Sequence, residues 1–222
     1  MIYSPFLRFS EVVVSSFVNY IVLEKGVTLM LLNLLRRNRS YRRFEGQVSI
    51  QKDQLTEMVE AARLSASGGN RQPLKFFLAN TEEENRKIFP CLSWAGGIQD
   101  WSGPAEGNRP TGYIIILGDT GVSKNFGCDH CIAAESILLK ATEDGLGGCM
   151  MSNVDRAELR SRLKIPERYE ILLVVALGKP SGKVVLEDSS KTNSTDYWLD
   201  GEGLHHVPKR PLDQLIIEGF ND

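Results

Sequence analysis

Two apolar runs, Tyr113 to Leu117 and Tyr169 to Leu177, constrain this chain more than any other feature. Both are rich in Ile, Leu or Val and lack the polar alternation of a strand with one wet face. Each therefore reads as a strand buried on both sides. Something else in the chain must cover them. Asp129 to Asp144 is a strongly apolar helix that Gly145 ends. Asp53 to Ser65 is amphipathic, with Leu55, Met58, Val59 and Ala62 on one face and Asp53 placed as an N-cap. The order is helix, helix, strand, helix, strand, helix, helix, strand and tail. That is not a regular βαβ alternation, and it predicts an α+β fold with a mixed or antiparallel sheet.

The remaining elements are shorter. Leu29 to Leu35 reads as a helix, Lys75 to Ala79 as a strand, Thr81 to Ile88 as a helix, and Asp155 to Leu163 as a helix stopped near Pro166. Pro90 to Thr111 is long and irregular, and within it the Trp94 to Trp101 loop reads either as a wall of a substrate site or as core packing. The tail from about residue 181 holds apolar anchors at Tyr197, Trp198 and Leu215 to Ile217. It is expected to wrap over a surface, such as a partner subunit.

At 222 residues the prior is one domain, able to bury on the order of 70% of its unfolded surface. A net charge of −2 implies no general attraction to nucleic acid. Cys91, Cys128, Cys131 and Cys149 form no regular disulfide framework, so a reducing cytoplasm is the default. Val12 to Leu23 is apolar but too short for a membrane span and has no basic flank of the signal-peptide kind. Residues 1–29 are read as an extension ahead of a domain that runs from 30 to 222, and no part of the chain is expected in a membrane.

Four segments carry candidate chemistry. Arg39-Ser40-Tyr41-Arg42-Arg43-Phe44 gathers guanidinium groups and a hydroxyl at one bend, which suits a phosphate, although a basic surface turn has the same look. Ser67-Gly68-Gly69-Asn70-Arg71-Gln72-Pro73 offers donors, acceptors and close backbone approach, and equally suits a plain connection. Gly145-Leu146-Gly147-Gly148 is not a dinucleotide fingerprint; it reads either as a ligand-hugging turn or as a helix cap entering a strand. Lys209-Arg210, between Pro208 and Pro211, could complete an anion site with Arg39. His205 and His206 lack a third ligand at suitable spacing, so no metal is assigned. Cys128-Asp129-His130-Cys131 lacks a βαβ context and is read as buried small residues rather than a redox pair.

In this order, the segments resemble the nitroreductase family of FMN-dependent oxidoreductases, over roughly Met30 to Ile217. The resemblance rests on the Arg-Ser-x-Arg-x-Phe opening at Arg39 to Phe44, the Ser-x-x-Asn-x-Gln-Pro loop at Ser67 to Pro73, the Gly-Leu-Gly turn at Gly145 to Gly147, and Pro-Lys-Arg-Pro at Pro208 to Pro211. It implies a mixed α+β sheet wrapped by helices, in an intertwined homodimer with FMN at the interface. It implies that Arg39, Ser40 and Arg42 hold the phosphate and ribityl chain. Ser67, Asn70 and Gln72 would reach the flavin from the partner subunit. Met150, Met151 and Ser152 would run beside the ring, with a backbone N–H facing flavin N5, and Lys209 and Arg210 would close on the phosphate. Two departures stand out. Asn38 occupies a position where the family usually has arginine, and Ser65-Ala66-Ser67 lacks the proline often found there.

The function so implied is hydride transfer from NADH or NADPH through FMN to a nitroaromatic, quinone or similar electron-poor acceptor. Flavin carries that chemistry, so no catalytic side chain is required. A nearby cation would favour the reduced flavin, and Arg42, then Arg71, are the candidates. A flavin-dependent dehalogenase or flavin-fragmenting enzyme of the same fold is the alternative. From another class, the run Arg36 to Arg43 would suit an arginine-rich nucleic-acid binder. The acidic balance of the chain argues against that, so the expected partners are a second copy and a small molecule.

Overall fold

The computed structural model describes residues 31–94, 101–191, 194–217 and 219. The expected extension, residues 1–29, lies outside them, as does Met30. Residues 31–37 form helix α1 in a unit that ends at Arg37, and the rest described here belongs to the unit Asn38–Asp222.

The second unit runs α2 (Lys52–Arg63), β1 (Leu74–Ala79), α3 (Glu82–Ile88), β2 (Gly112–Asp119), α4 (Asp129–Glu143), β3 (Gly147–Met151), α5 (Arg156–Leu163) and β4 (Tyr169–Gly178). The strands form one sheet in the order β1-β2-β4-β3, with antiparallel neighbours throughout. The expected α+β class and the two central buried strands are found.

Alternation along β2 divides the core between the faces. Tyr113, Ile115 and Leu117 pack with Ile88 of α3 and Leu159 of α5. Ile114 and Ile116 pack with Leu55 and Met58 of α2 and with Ala134, Ile137 and Leu138 of α4. Every residue of β2 is buried, as its continuous apolar run requires. A bulge between Ile116 and Leu117 offsets the register so that Leu117 pairs with Ile171 and Ile116 with Leu173. Leu117 and Ile171 therefore stay on the α3/α5 face. Arg156 serves the irregularity by donating to the carbonyls of Ile171 (2.9 Å) and Leu172 (3.3 Å).

Helix ends follow capping chemistry. Thr81 caps α3 by accepting from the Glu84 N–H, and Asp155 caps α5 by accepting from the Glu158 N–H. Asp53, expected as the N-cap of α2, lies inside it; Gln51 holds that position, and its N–H donates to the Gln54 side chain. Gly145, at φ +71°, ends α4, with Leu146 N–H donating to the Ala141 carbonyl and Gly145 N–H to that of Thr142.

The tail builds a second sheet from β5 (Val184–Asp188), β6 (Trp198–Leu199) and β7 (His205–Lys209), ordered β5-β7-β6. β5 pairs with β7 in parallel, and β6 with β7 antiparallel. Leu212, Leu215, Ile216 and Ile217 beyond it are exposed in the single chain. Among the described residues, no helix is long and apolar enough to cross a membrane. Cys128 and Cys131 correct an expectation: both are exposed, because they flank the solvent-facing start of α4.

Candidate functional site

The N-terminal motif is laid against the edge strand β3. Tyr41 N–H donates to the Gly148 carbonyl at 2.9 Å, and Ser40 forms an isolated parallel bridge with Gly148. Glycine is required there. A Cβ on Gly148 would meet the Ala176 carbonyl oxygen and the Leu138 side chain, and one on Gly147 would meet the Tyr41 ring. The glycine run therefore serves both as helix cap and as a bed for the Arg39–Tyr41 backbone.

This arrangement opens a cavity of about 350 Å³. Its polar lining includes Asn38, Arg39, Ser40, Arg42, Glu135 and Lys209, and its apolar wall includes Leu138, Met150, Val184 and Val207. Cations from opposite ends of the chain, Arg39 and Lys209, thus line one cavity. Arg210 does not line the cavity and is exposed, since consecutive residues of an extended chain turn to opposite sides. Asn38 is buried and its Nδ2 donates to Glu135 Oε1 at 2.9 Å.

Tyr197 and His205 complete the cavity, and sequence reasoning assigned neither a role there. The Arg42 guanidinium lies 5.6 Å from the Tyr197 ring centroid, and Tyr197 meets His205 edge-on at 5.2 Å. Burial, reinforced by the charge of Arg42, holds the His205 pKa below the usual histidine value. His205 is therefore neutral at pH 7, and the positive charge of the cavity comes from Arg39, Arg42 and Lys209.

The β3 residues divide by strand parity. Met150 faces the cavity, Met151 is buried on the α3/α5 side, and Ser152 is exposed, its carbonyl accepting from Arg156 Nη2 at 3.2 Å. Ser67, Asn70 and Gln72 are not brought to this cavity. Ser67 and Gln72 line a separate, largely apolar one of about 410 Å³ with Val59, Leu74 and Phe76. Their loop is tightly organised: Asn70 and Gln72 have φ of +54° and +49°, and Gln72 Nε2 donates to Asn70 Oδ1 at 3.1 Å. Ser67 Oγ donates to Asp129 Oδ2 at 2.7 Å and accepts from Gln72 N–H at 3.0 Å. Asp129, buried in the first turn of α4, was not singled out as a partner of this loop. Trp94 is buried against Phe89 and Trp101, so it serves the core, while residues 95–100 of the expected loop wall lie outside the described residues.

His206 is enclosed by two carboxylates, with Nδ1 at 2.9 Å from Glu187 and Nε2 at 3.2 Å from Asp200, and it stacks on Trp198 at 4.7 Å. These contacts tie together β5, β6 and β7.

Fold and site together define an α+β protein whose antiparallel sheet carries a cation-lined cavity at one edge. The model of the nitroreductase family matches residues 35–96 and 124–179, just over half of the chain, and the chain belongs to that family. It is an oxidoreductase enzyme. A relative from Archaeoglobus fulgidus, provisionally named an NADH dehydrogenase/NAD(P)H nitroreductase, is 28% identical over 157 residues, covering 67% of this chain and 84% of the relative. Two solved structures share the fold. An FMN-dependent nitroreductase from Clostridium difficile has a TM-score of 0.59 at 22% identity, covering 72% of this chain and 93% of its own. A nitroreductase family protein from Streptococcus pneumoniae has a TM-score of 0.63 at 16% identity, covering 85% of this chain and 100% of its own.

Proposed function

We propose that this protein is an FMN-dependent oxidoreductase that uses NADH or NADPH to reduce nitroaromatics, quinones or similar electron-poor acceptors. The observation that carries this reading is the cavity in which Arg39, Ser40, Arg42 and Lys209 stand beside an apolar wall of Leu138, Met150 and Val207. That donor set matches an anionic ligand with an extended apolar part, and FMN is such a ligand. Arg39, Ser40 and Lys209 would hold the phosphate, with charge-assisted bonds from the cations. Arg42, kept in place by Tyr197, would lie toward the ribityl chain and ring edge. Met150 would supply an apolar surface for the ring. When bound, the flavin supplies hydride transfer between nicotinamide and acceptor.

The proposed assembly is a homodimer in which Ser67, Asn70 and Gln72 of one subunit reach the flavin of the other. The separation of this loop from the cation-lined cavity within one chain supports the reading, as do the exposed Leu212, Leu215, Ile216 and Ile217. Residues 1–29 are proposed to be dispensable for flavin binding. The four free thiols suit a reducing cytoplasm.

Purification, identification of released flavin, and NAD(P)H oxidation against a panel of acceptors test the reading. The expected preparation is yellow and releases FMN. A folded, colourless protein that takes up no added FMN would overturn it.

A further inference from the structure

A third cavity, of about 390 Å³, lies between α3, the loop before β2 and the first residues of β2. Its Tyr113 and Phe89 belong to the α3/α5 face of the sheet, whereas Leu138 and Met150 of the cation-lined cavity pack on the α2/α4 face. It is therefore a different site. Asn85, Arg109 and Tyr113 all line it. Each contributes a buried polar atom with no hydrogen-bond partner in the protein: Asn85 Oδ1, Arg109 Nε and Tyr113 Oη. Buried polar atoms are rarely left unpaired, and three around one cavity point to an occupant.

The chemistry of the three narrows the occupant. Tyr113 is 0% exposed and fixed in β2 between Ala79 and Ala176. Burial drives its phenol above the usual range, so it offers a hydroxyl donor. Arg109 offers a guanidinium stacked over Phe89 at 4.2 Å, and among the described residues no carboxylate ion-pairs with it, although Glu106 lines the same cavity. Asn85 Nδ2 donates to the Thr111 carbonyl at 3.0 Å, which orients the amide and leaves Oδ1 as an acceptor. The set is thus one cation, one neutral donor and one acceptor. Water can serve the neutral groups but cannot balance the guanidinium. Arg86 lines the cavity too but is paired with Glu82 at 3.8 Å, which leaves Glu106 to disfavour a dianion such as phosphate.

We infer that this cavity binds a small monocarboxylate carrying a hydroxyl or amino group beside its acid group. The carboxylate accepts from Arg109 and from the Tyr113 hydroxyl, and the neighbouring O–H or N–H donates to Asn85 Oδ1.

Calorimetric titration of the full-length protein, as purified, with short α-hydroxy and α-amino acids tests this, with the matching unsubstituted acids as controls. Saturable binding is expected for the substituted acids, and about tenfold weaker binding for the unsubstituted ones. Arg109→Gln and Tyr113→Phe should each weaken binding by about tenfold or more. Tyr113→Phe keeps the ring that fills the core, so its folding can be verified by circular dichroism. No saturable heat from any probe would mean that the cavity holds water only, and the inference would fall. Binding unchanged by both substitutions, or equal for substituted and unsubstituted acids, would overturn it as well.

Discussion

The Ser67 hydroxyl donates to the Asp129 carboxylate at 2.7 Å, joining residues 62 positions apart in the chain. A second bond, from Gly68 N–H to the other carboxylate oxygen at 2.9 Å, makes Asp129 the anchor of the whole loop. Asp129→Ala should remove both, at a cost of about 1–3 kcal/mol for each group left unpaired. Thermal denaturation would measure the loss. Flavin affinity should fall with it if the loop reaches the cofactor of a partner subunit, and unchanged affinity would argue that the loop serves stability alone.

Lys209 and Arg210 are neighbours, yet only Lys209 lines the cation-lined cavity. Lys209→Ala is expected to weaken FMN by about tenfold or more, with a smaller effect on riboflavin, which lacks the phosphate. Arg210→Ala should disturb FMN less than Lys209→Ala does. Titration of both flavins into apoprotein gives the comparison. The reverse ranking would place the phosphate on the other side of the strand.

Gly148→Ala should be damaging, because its Cβ meets backbone at Ala176 as well as the Leu138 side chain. Overpacking of this kind costs about 1–3 kcal/mol. Gly147→Ala should cost less, since its Cβ meets the side-chain rings of Tyr41 and Pro180 rather than backbone. Urea denaturation of the two variants would show the order, and FMN affinity should follow it.

His206 sets a pH dependence for the tail sheet. Bonding to Glu187, then to Asp200, raises its pKa above the ordinary histidine value. A raised folded pKa gives stabilisation that is full below about pH 6.5 and is lost as pH climbs through the folded value. Asp200 acts at the other end. The Leu204 N–H, then His206, hold its pKa down, so its contribution is lost as pH falls through that depressed value. Because His206 stacks on Trp198, tryptophan fluorescence should show a step with its midpoint above pH 6.5. His206→Phe should abolish the step; its persistence would assign the transition to another group.

Legibility from sequence followed the range of the interactions. The runs at Tyr113 and Tyr169 are read as strands because burial on both faces is written into adjacent residues. Gly145 is read as a helix end for an equally local reason. Strand β3 is obscured by Gly147 and Gly148, whose low strand propensity is outweighed by their fit against Tyr41 and Ala176. Strand β7 is obscured by Pro208. Within the cation-lined cavity, the Arg39 cluster stands out by charge. Glu135, Tyr197 and His205 do not, because their place depends on contacts between distant segments. The choice of Lys209 over Arg210 depends on strand parity, which the prolines on either side conceal.

The cavity lining begins at Asn38 and ends at Lys209. A ribosome releases Arg39 and Ser40 long before Lys209. At roughly 5–20 residues per second, the delay is on the order of ten seconds. Throughout that interval the N-terminal motif lacks first β3, against which its backbone lies, and then Lys209. If the cavity binds FMN as proposed, its loading belongs to the end of biosynthesis, and a nascent chain stalled before β7 should not be rescued by abundant cofactor.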